Sequence, residues 1–267
     1  MKSKKNLVLL GMMASGKSTL GNLISKKLNK KFIDIDKIIE KNLNMTVAQI
    51  FEKEGEEFFR KEEEKVTLKY LTTTNSLIAL GGGSFLNNKI REEVTKNSVS
   101  FWLKWKTSVL LNRIKNNKKR PLTVGVSDDA LIKLARIRSS IYSKALYEVK
   151  CDNLSKNQIK SKIADSFINL DISMGSIVYS FNQLNAAKET LEISLKRLEA
   201  GLTTQREIVN IQADLSESES NYINSILDYK ITLAELERAT LLEKQSICNL
   251  ISNSILPLLN KINKDGI

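Results

Sequence analysis

The residues with the clearest chemical meaning form a glycine-rich segment near the start of the chain, Gly11-Met12-Met13-Ala14-Ser15-Gly16-Lys17-Ser18-Thr19. It satisfies the pattern G-x-x-x-x-G-K-[ST], whose backbone N–H groups form a nest for phosphate oxygens. In this pattern the lysine reaches the β- and γ-phosphates, and the following hydroxyl ligates Mg²⁺. The segment therefore predicts binding of a nucleoside triphosphate, with phosphate contacts from Ala14, Ser15, Gly16, Lys17, Ser18 and Thr19.

Two carboxylates follow at the end of a short apolar run, Phe32-Ile33-Asp34-Ile35-Asp36. Ligands of open α/β folds bind in the crevice outside the carboxyl ends of the strands, which both acids can reach. Phosphoryl transfer needs one carboxylate to hold Mg²⁺ or its water, and it gains from another that accepts the proton of the attacking hydroxyl. Asp34 and Asp36 can divide these two tasks.

The elements that must position these residues alternate between strand and helix. Residues 7–10 form an apolar run that ends at Gly11, and apolar residues at helical spacing follow from Lys17 to Leu28. Further runs and helical patterns recur along the chain, at 32–35, 56–71, 77–80, 99–103, 107–115 and, more weakly, 147–151. Continuous apolar runs are typical of parallel strands covered on both faces. We predict a P-loop NTPase fold, a three-layer α/β/α sandwich with a parallel sheet.

Composition excludes several classes of function. The chain has 42 Lys+Arg, 30 Asp+Glu, a net charge of +12, two cysteines and no histidine. Ser-His and Cys-His couples and imidazole metal ligands are therefore excluded, and two cysteines are too few for a disulfide framework. No apolar run approaches the ~18 residues that cross a bilayer. We expect a cytoplasmic protein without a membrane or nucleic-acid partner, whose basic surface attracts small polyanions.

Charge and aromatic content both change near residue 170. Residues 1–170 contain 33 Lys+Arg and 17 Asp+Glu, hence +16, whereas residues 171–267 contain 9 and 13, hence −4. Both tryptophans and seven of the eight phenylalanines lie in the first part. We therefore predict a nucleotide-binding domain at 1–170 and an acidic helical extension at 171–267.

Further motifs follow the acidic pair in a fixed order: Gly55-Glu56-Glu57-Phe58-Phe59-Arg60-Lys61-Glu62-Glu63, Leu77-Ile78-Ala79-Leu80-Gly81-Gly82-Gly83, Arg113 with Arg120-Pro121-Leu122, and Arg138-Ser139-Ser140-Ile141-Tyr142. With these motifs the chain resembles the shikimate kinase family, of the nucleoside-monophosphate-kinase structural group, over residues 5–168. The resemblance implies ATP-dependent phosphorylation of the 3-hydroxyl of shikimate in aromatic amino acid biosynthesis, with one Mg²⁺ per chain.

The same resemblance implies roles for single residues. Lys17 and Asp36 would be catalytic, and Asp36 would also bind the substrate hydroxyls. Arg60 and Arg138 would hold the shikimate carboxylate, a task that suits a planar guanidinium. Gly82 would offer its backbone N–H to the substrate, because no side chain blocks the approach.

The polar, basic segment 116–125 is similar to the lid of that family. Arg120 would then be catalytic by contacting the ATP phosphates, and Arg113 would lie against the adenine. No acid stands directly before the triple glycine, so Mg²⁺ would rest on Ser18 and, through water, on Asp34.

The acidic part predicts two long amphipathic helices. The first stripe breaks at Gly201 and consists of Phe181, Leu184, Ala187, Leu191, Leu195, Leu198 and Leu202. A capping box at Thr204-Gln205-Arg206-Glu207 opens the second helix, whose stripe consists of Ile208, Ile211, Leu215, Ser218, Tyr222, Ile226, Tyr229, Leu233 and Leu236. Narrow stripes of this kind suit a helical hairpin or a coiled-coil partner.

Residues 177–241 also resemble the last helical region of TolC-type outer-membrane efflux proteins. The resemblance lies in Leu198-Glu199-Ala200-Gly201-Leu202-Thr203-Thr204-Gln205, Ala213-Asp214-Leu215 and Leu233-Ala234-Glu235-Leu236-Glu237-Arg238-Ala239. We do not infer transport from it, and we expect an accessory helical appendage. The nucleotide-binding part is expected to be monomeric, and the helical tail is a candidate for self-association.

Two alternatives stay open. One is another small-metabolite kinase of the same group, such as a gluconate kinase, which a substrate panel followed by product analysis would distinguish. A catalytically silent P-loop scaffold with a helical interaction tail would bind nucleotide without shikimate-dependent turnover.

Overall fold

A computed structural model describes residues 5–115 and 127–240 of the chain. Its strands are β1 Asn6–Leu10, β2 Lys31–Asp34, β3 Ser76–Ala79, β4 Ser98–Lys104 and β5 Tyr147–Lys150. Its helices are α1 Lys17–Leu28, α2 Ile35–Leu43, α3 Val47–Lys53, α4 Gly55–Leu71, α5 Asn88–Asn97, α6 Thr107–Lys115, α7 Asp128–Tyr142, α8 Lys156–Glu199 and α9 Gln205–Thr240. A short 3₁₀ turn occupies Ser84–Leu86.

The five strands form one parallel sheet in the order β2-β3-β1-β4-β5. The central strand β1 is buried along its whole length, and Leu9 pairs with Ala79 on one side and Phe101 on the other. Strands buried on both faces need continuous apolar sequence, as the runs in the sequence indicate.

Helices cover both faces of this sheet. The crossover through α1 leads from β1 to β2 in one direction, and the crossover through α5 leads from β3 to β4 in the other. Because such crossovers are right-handed, opposite directions place these helices on opposite faces. The start of α8 lies on the α1 side, where Lys27 Nζ and Asp165 Oδ1 are 2.7 Å apart. The predicted three-layer α/β/α architecture is confirmed.

The second strand ends one residue earlier than the apolar run indicates. Asp34 is the last residue of β2 and the N-cap of α2, and its Oδ1 accepts a 3.4 Å hydrogen bond from the backbone N–H of Lys37. The Asp34 carboxylate accepts a hydrogen bond from an N–H of the first turn of α2, which has no partner within the helix. This bond stabilises the start of the helix at this point, so the strand ends here. Asp36 therefore lies in the first turn of a helix instead of on a strand.

The chain divides into two compact units, one within Lys4–Asp165 and one within Ser166–Leu236. In the second unit α8 and α9 form an antiparallel hairpin. The hydroxyls of Ser180 and Ser225 are 2.8 Å apart, and the rings of Phe181 and Tyr222 lie 5.6 Å apart. These pairs lie at nearly equal distances along the chain from the turn, as an antiparallel hairpin requires.

The turn of the hairpin is a Schellman motif. Gly201 has φ +70°, its N–H donates to Leu198 O at 2.9 Å, and the N–H of Leu202 donates to Arg197 O at 2.8 Å. At the start of α9, Thr204 Oγ1 accepts from Glu207 N at 3.4 Å, as the predicted capping box requires. The Glu207 carboxylate instead accepts the hydroxyl of Thr203.

The described side chains of the predicted stripes, within 181–233, are buried or half-buried with two exceptions: Leu195 is 40% exposed, and Leu202, in the turn, is 69% exposed. Across 5–115 and 127–240, no helix is both long and apolar enough to span a bilayer.

Candidate active site

The phosphate-binding loop connects β1 to α1 at the carboxyl edge of the sheet. Its glycines adopt backbone angles that favour glycine, with φ +145° at Gly11 and +90° at Gly16. A Cβ on Gly11 would lie 3.0 Å from the carbonyl oxygen of Leu103. Gly16 is the N-cap of α1 and has no side chain that could accept a hydrogen bond from the first N–H groups. No acidic residue occupies the first turn. The first N–H groups of α1 thus favour an anion.

Lys17 folds back across this loop. Its Nζ donates to the carbonyl oxygens of Gly11 at 2.7 Å and Met12 at 3.0 Å. Ser18 follows with an exposed side chain. The ammonium and the hydroxyl therefore lie at the place where the pattern puts phosphate and metal.

A cleft of about 270 Å³ opens beside the loop. It is lined by residues from the ends of three neighbouring strands and from α6: Met13, Ala14, Gly16, Lys17, Ser18, Thr19, Asp34, Asp36, Ala79, Leu80, Gly82 and Arg113. The acidic pair thus lies in the same cleft as the phosphate loop, as the sequence indicates. Asp34 ends a strand and Asp36 lies in the first turn of the following helix, and both reach this space.

Asp34 retains an acceptor that could serve a metal ion. Its Oδ1 caps α2, whereas its Oδ2 is buried and has no hydrogen-bond partner among the described residues. A buried carboxylate oxygen is costly unless it is paired. The cleft therefore offers a carboxylate oxygen and the Ser18 hydroxyl, the oxygen ligands that Mg²⁺ prefers in proteins.

Each glycine of the triple-glycine segment makes room for a different side chain. A Cβ on Gly81 would overlap Glu63 Oε1 and lie 2.7 Å from Asp36 Oδ1. A Cβ on Gly82 would lie 3.3 Å from Arg138 Nη1. A Cβ on Gly83 would overlap the guanidinium of Arg60, with Cζ at 2.7 Å. The acidic and basic side chains of the site therefore lie together against this glycine segment.

Arg60 is held by carboxylates of its own helix. Its Nη1 donates to Glu63 Oε2 at 2.6 Å, and its Nε and Nη2 donate to Glu56 Oε1 at 3.1 and 3.0 Å. Glu63 is 2% exposed, and its Oε1 accepts a 2.5 Å bond from Ser84 Oγ. Burial would lower the pKa of Arg60, but the two carboxylates outweigh it and raise that pKa. The guanidinium is thus fixed and ionised.

Arg138 lies buried beside the same glycines. It is 8% exposed, and its Nε has no hydrogen-bond partner in the described part of the chain. Nearby, the hydroxyl of Tyr142 donates to Gly82 O. Burial raises the pKa of Tyr142 to about 12, against the opposing effect of the Arg138 cation. Arg138 therefore offers an unused donor for an anionic ligand.

Arg113, on α6, also lines the cleft. Its Cζ is 3.7 Å from the ring centroid of Trp105, and the indole Nε1 of Trp105 donates to the carbonyl oxygen of Ser15 at 3.0 Å.

Most of the predicted site residues converge in this region. Arg60 and Arg138 lie beside the triple glycine instead of lining the cleft, and Ser15, within the loop, is buried and does not line the cleft either. Arg120 lies outside the described residues, as does the whole of the predicted lid, 116–125.

Sequence reasoning missed Glu63, Tyr142 and Trp105 as site residues. Glu63 is the final acid of G-E-x-x-F-R-x-x-E, and Tyr142 ends the motif that begins at Arg138. These motifs could therefore have indicated both residues as parts of the site. Trp105 belongs to no motif, because its importance depends on contacts with residues distant in sequence.

The part of the chain that contains this site is similar to known proteins. A family model described as shikimate kinase matches residues 13–169. The curated shikimate kinase of Thermoanaerobacter pseudethanolicus is 35% identical over 167 residues, which are 62% of this chain and 98% of that protein. The shikimate kinase of Flavobacterium psychrophilum is 39% identical over 166 residues, covering 60% of this chain and 96% of that protein.

Solved structures agree with this match. Shikimate kinase from Acinetobacter baumannii in complex with shikimate aligns with a TM-score of 0.59 at 29% identity, covering 62% of this chain and 94% of that one. Shikimate kinase from Aquifex aeolicus aligns with a TM-score of 0.51 at 32% identity, covering 60% and 94%. With its phosphate loop, acidic pair and triple glycine in place, the chain belongs to the shikimate kinase family.

Proposed function

We propose that this protein transfers the γ-phosphoryl group of ATP to the 3-hydroxyl of shikimate. The observation that carries this proposal is one cleft that holds the phosphate loop and the pair Asp34 and Asp36, bordered by two arginines at the triple glycine. A donor with phosphates and an acceptor with a carboxylate and hydroxyls fit this distribution of charge.

Arg60 and Arg138 support the choice of acceptor. They lie against adjacent glycines, Gly83 and Gly82, so their guanidinium groups border the same small region. Two cations at one place suit a ligand carboxylate, which guanidinium groups bind in bidentate geometry. The buried Nε of Arg138, without a partner among the residues described, would gain an acceptor when that carboxylate binds. The backbone N–H of Gly82 would provide a further donor.

Asp36 is the proposed proton acceptor. Its side chain lines the cleft in the first turn of α2, where the helix dipole favours a carboxylate. The shikimate oxygen attacks the γ-phosphorus, its proton passes to the Asp36 carboxylate, and the bond from that phosphorus to the β,γ-bridging oxygen breaks. ADP leaves with that oxygen. Lys17 offsets the negative charge of the phosphoryl oxygens, since this reaction depends mainly on positioning and electrostatics.

One Mg²⁺ fits the oxygen ligands at the edge of the cleft. Ser18 would bind it directly, and the buried Oδ2 of Asp34 would hold it through water. When bound, Mg²⁺ neutralises charge on the ATP phosphates.

The test is a coupled assay of ADP release by the full chain, with shikimate and with gluconate as acceptors, followed by mass spectrometry of the product. We expect shikimate-dependent release and shikimate 3-phosphate. The alternative of a gluconate kinase predicts the opposite acceptor preference, and a silent scaffold predicts no acceptor-dependent release. Asp36→Asn should abolish turnover and leave ADP affinity nearly unchanged; unchanged turnover would remove its assigned role.

We propose that residues 1–170 are the kinase part and that residues 171–267 are an accessory helical extension. The curated relatives support this division, because about 167 residues of this chain cover 98% of the Thermoanaerobacter protein. A chain ending at Leu170 should fold and keep shikimate-dependent activity. A folded but inactive truncated chain would show that the extension is required. Light scattering of both forms tests the expected monomeric kinase part and the proposed self-association of the tail.

A further inference from the structure

Trp105 connects two parts of the proposed nucleotide site. It directly follows β4, the strand that pairs with β1 through Leu10 and Trp102. Residues that follow neighbouring parallel strands lie at the same edge of the sheet, so Trp105 lies beside the loop that follows β1. Its indole N–H donates to Ser15 O in that loop at 3.0 Å.

The same indole ring supports Arg113. The guanidinium Cζ of Arg113 lies 3.7 Å from the ring centroid, which is a close cation–π stack. A planar guanidinium has two faces, and Trp105 covers one of them. Arg113 also lines the cleft, so its other face can meet a ligand there.

Both contacts restrict motion that would otherwise oppose binding. An arginine side chain has many rotamers, and a ligand that stacks on it must otherwise supply the free energy of ordering it. The hydrogen bond to the Ser15 carbonyl likewise restricts the phosphate loop before a ligand binds. Trp105 is half-buried and makes both contacts, so it can restrict the motion of Arg113 and of the phosphate loop at the same time.

We propose that Trp105 is a positioning residue of the nucleotide site, which holds the Arg113 guanidinium ready for the base and fixes the phosphate loop through Ser15. This inference rests on the proposed nucleotide site, but not on the identity of the phosphoryl acceptor. Its test therefore measures binding, so that a failure of the shikimate assignment would leave the result interpretable.

The experiment measures affinity of the full chain for ADP and for inorganic tripolyphosphate by calorimetry, in wild type, Trp105→Phe and Trp105→Leu. Phenylalanine keeps an aromatic ring under Arg113 and removes the N–H donor, whereas leucine removes both. Trp105→Phe should weaken both ligands equally, by about 2- to 10-fold, the range of a lost hydrogen bond. Trp105→Leu should weaken ADP binding about 2- to 5-fold more than Trp105→Phe does, because the lost stack is partly exposed. It should weaken tripolyphosphate binding no further than Trp105→Phe does.

A merely structural role would not produce this difference between ligands. In kinetics, the same role predicts a higher KM for ATP with a smaller change in kcat and an unchanged KM for shikimate. ADP affinity of Trp105→Leu within twofold of wild type would overturn the proposal. Equal affinities of the two variants for ADP would overturn the role assigned to the Arg113 stack. Thermal unfolding of each variant separates lost binding from lost folding.

Discussion

Arg60 Nη1 and Glu63 Oε2 form a 2.6 Å ion pair in which the arginine side chain is 33% exposed and the glutamate side chain 3% exposed. Glu63 also accepts the hydroxyl of Ser84, in the turn that follows the triple glycine. The buried carboxylate therefore connects a cation on α4 to the turn after the triple glycine, beside the proposed substrate site. Arg60 is placed before any ligand arrives, which lowers the cost of binding an anion.

Glu63→Gln should raise the KM for shikimate about 10-fold or less and destabilise the fold by about 1–3 kcal/mol, because a buried charged hydrogen bond is replaced by a weaker one. Steady-state kinetics and chemical denaturation measure the two effects. Glu57→Gln is the matched control, since Glu57 lies on the same helix and pairs with Lys61 with 85% of its side chain exposed. Similar kinetics in both variants would contradict the positioning of Arg60 by Glu63.

Gly82→Ala should lower kcat/KM for shikimate by about 3- to 10-fold, because small displacements in an active site reduce rates strongly. The new Cβ would lie 3.3 Å from Arg138 Nη1 and 3.5 Å from the backbone nitrogen of Met13, so the arginine must shift. The backbone N–H is retained in this variant, so the change tests space alone. Kinetics indistinguishable from wild type would show that Arg138 can move without loss.

Asp34→Asn should raise the Mg²⁺ concentration for half-maximal activity by about 10-fold, as expected when a group that orients a metal ligand loses its charge. Asparagine is as good an N-cap as aspartate, so the thermal stability should change little. A titration of activity against Mg²⁺ measures the effect. Asp165→Asn serves as the control, because Asp165 pairs with Lys27 outside the cleft and is 58% exposed. An equal shift in both variants would argue against a metal role for Asp34.

Tyr142 should make stability fall at high pH. Its pKa is about 12 in the fold, raised by burial from an ordinary value of 10.0. Below about pH 9 the hydroxyl is protonated in both states, and its contribution to stability is fully present. Between pH 10 and about 12 the unfolded chain loses the proton first, so stability falls as pH rises, by at most about 3 kcal/mol.

Denaturation of wild type and Tyr142→Phe between pH 8 and 11 isolates this contribution, because the other titrating groups are common to both. The difference in unfolding free energy should be constant up to about pH 9 and then change in favour of the variant. A difference that stays constant through pH 11 would contradict a raised pKa.

Two glycines of the hairpin should respond to alanine with opposite signs. Gly175, inside α8, has open space around it, so Gly175→Ala should stabilise the hairpin by about 0.5–1 kcal/mol. Gly201 also has open space, but its φ is +70°, so Gly201→Ala should destabilise by about 1 kcal/mol through backbone strain alone. Amide hydrogen exchange within the hairpin measures both, and equal signs would contradict the assigned turn.

From the sequence alone, the parallel sheet and the phosphate loop could be predicted, together with two long helices that suit a hairpin or a coiled coil. These depend on local patterns: continuous apolar runs, the spacing of Gly16, Lys17 and Ser18, and helical stripes that break at Gly201. Local patterns act between residues a few positions apart, so they can be found without knowing which distant segments meet. The sequence also showed that catalysis must proceed without histidine.

The contacts that position and support the site residues depend on the tertiary structure. Asp34 became a helix cap with one buried oxygen left over, because the strand stops one residue early. Gly81, Gly82 and Gly83 lie against the side chains of Glu63, Arg138 and Arg60, which belong to two different helices, α4 and α7. Trp105 contacts Ser15 across 90 residues of sequence, and no spacing rule predicts such a contact. Long-range packing sets these distances, and packing depends on the whole fold at once.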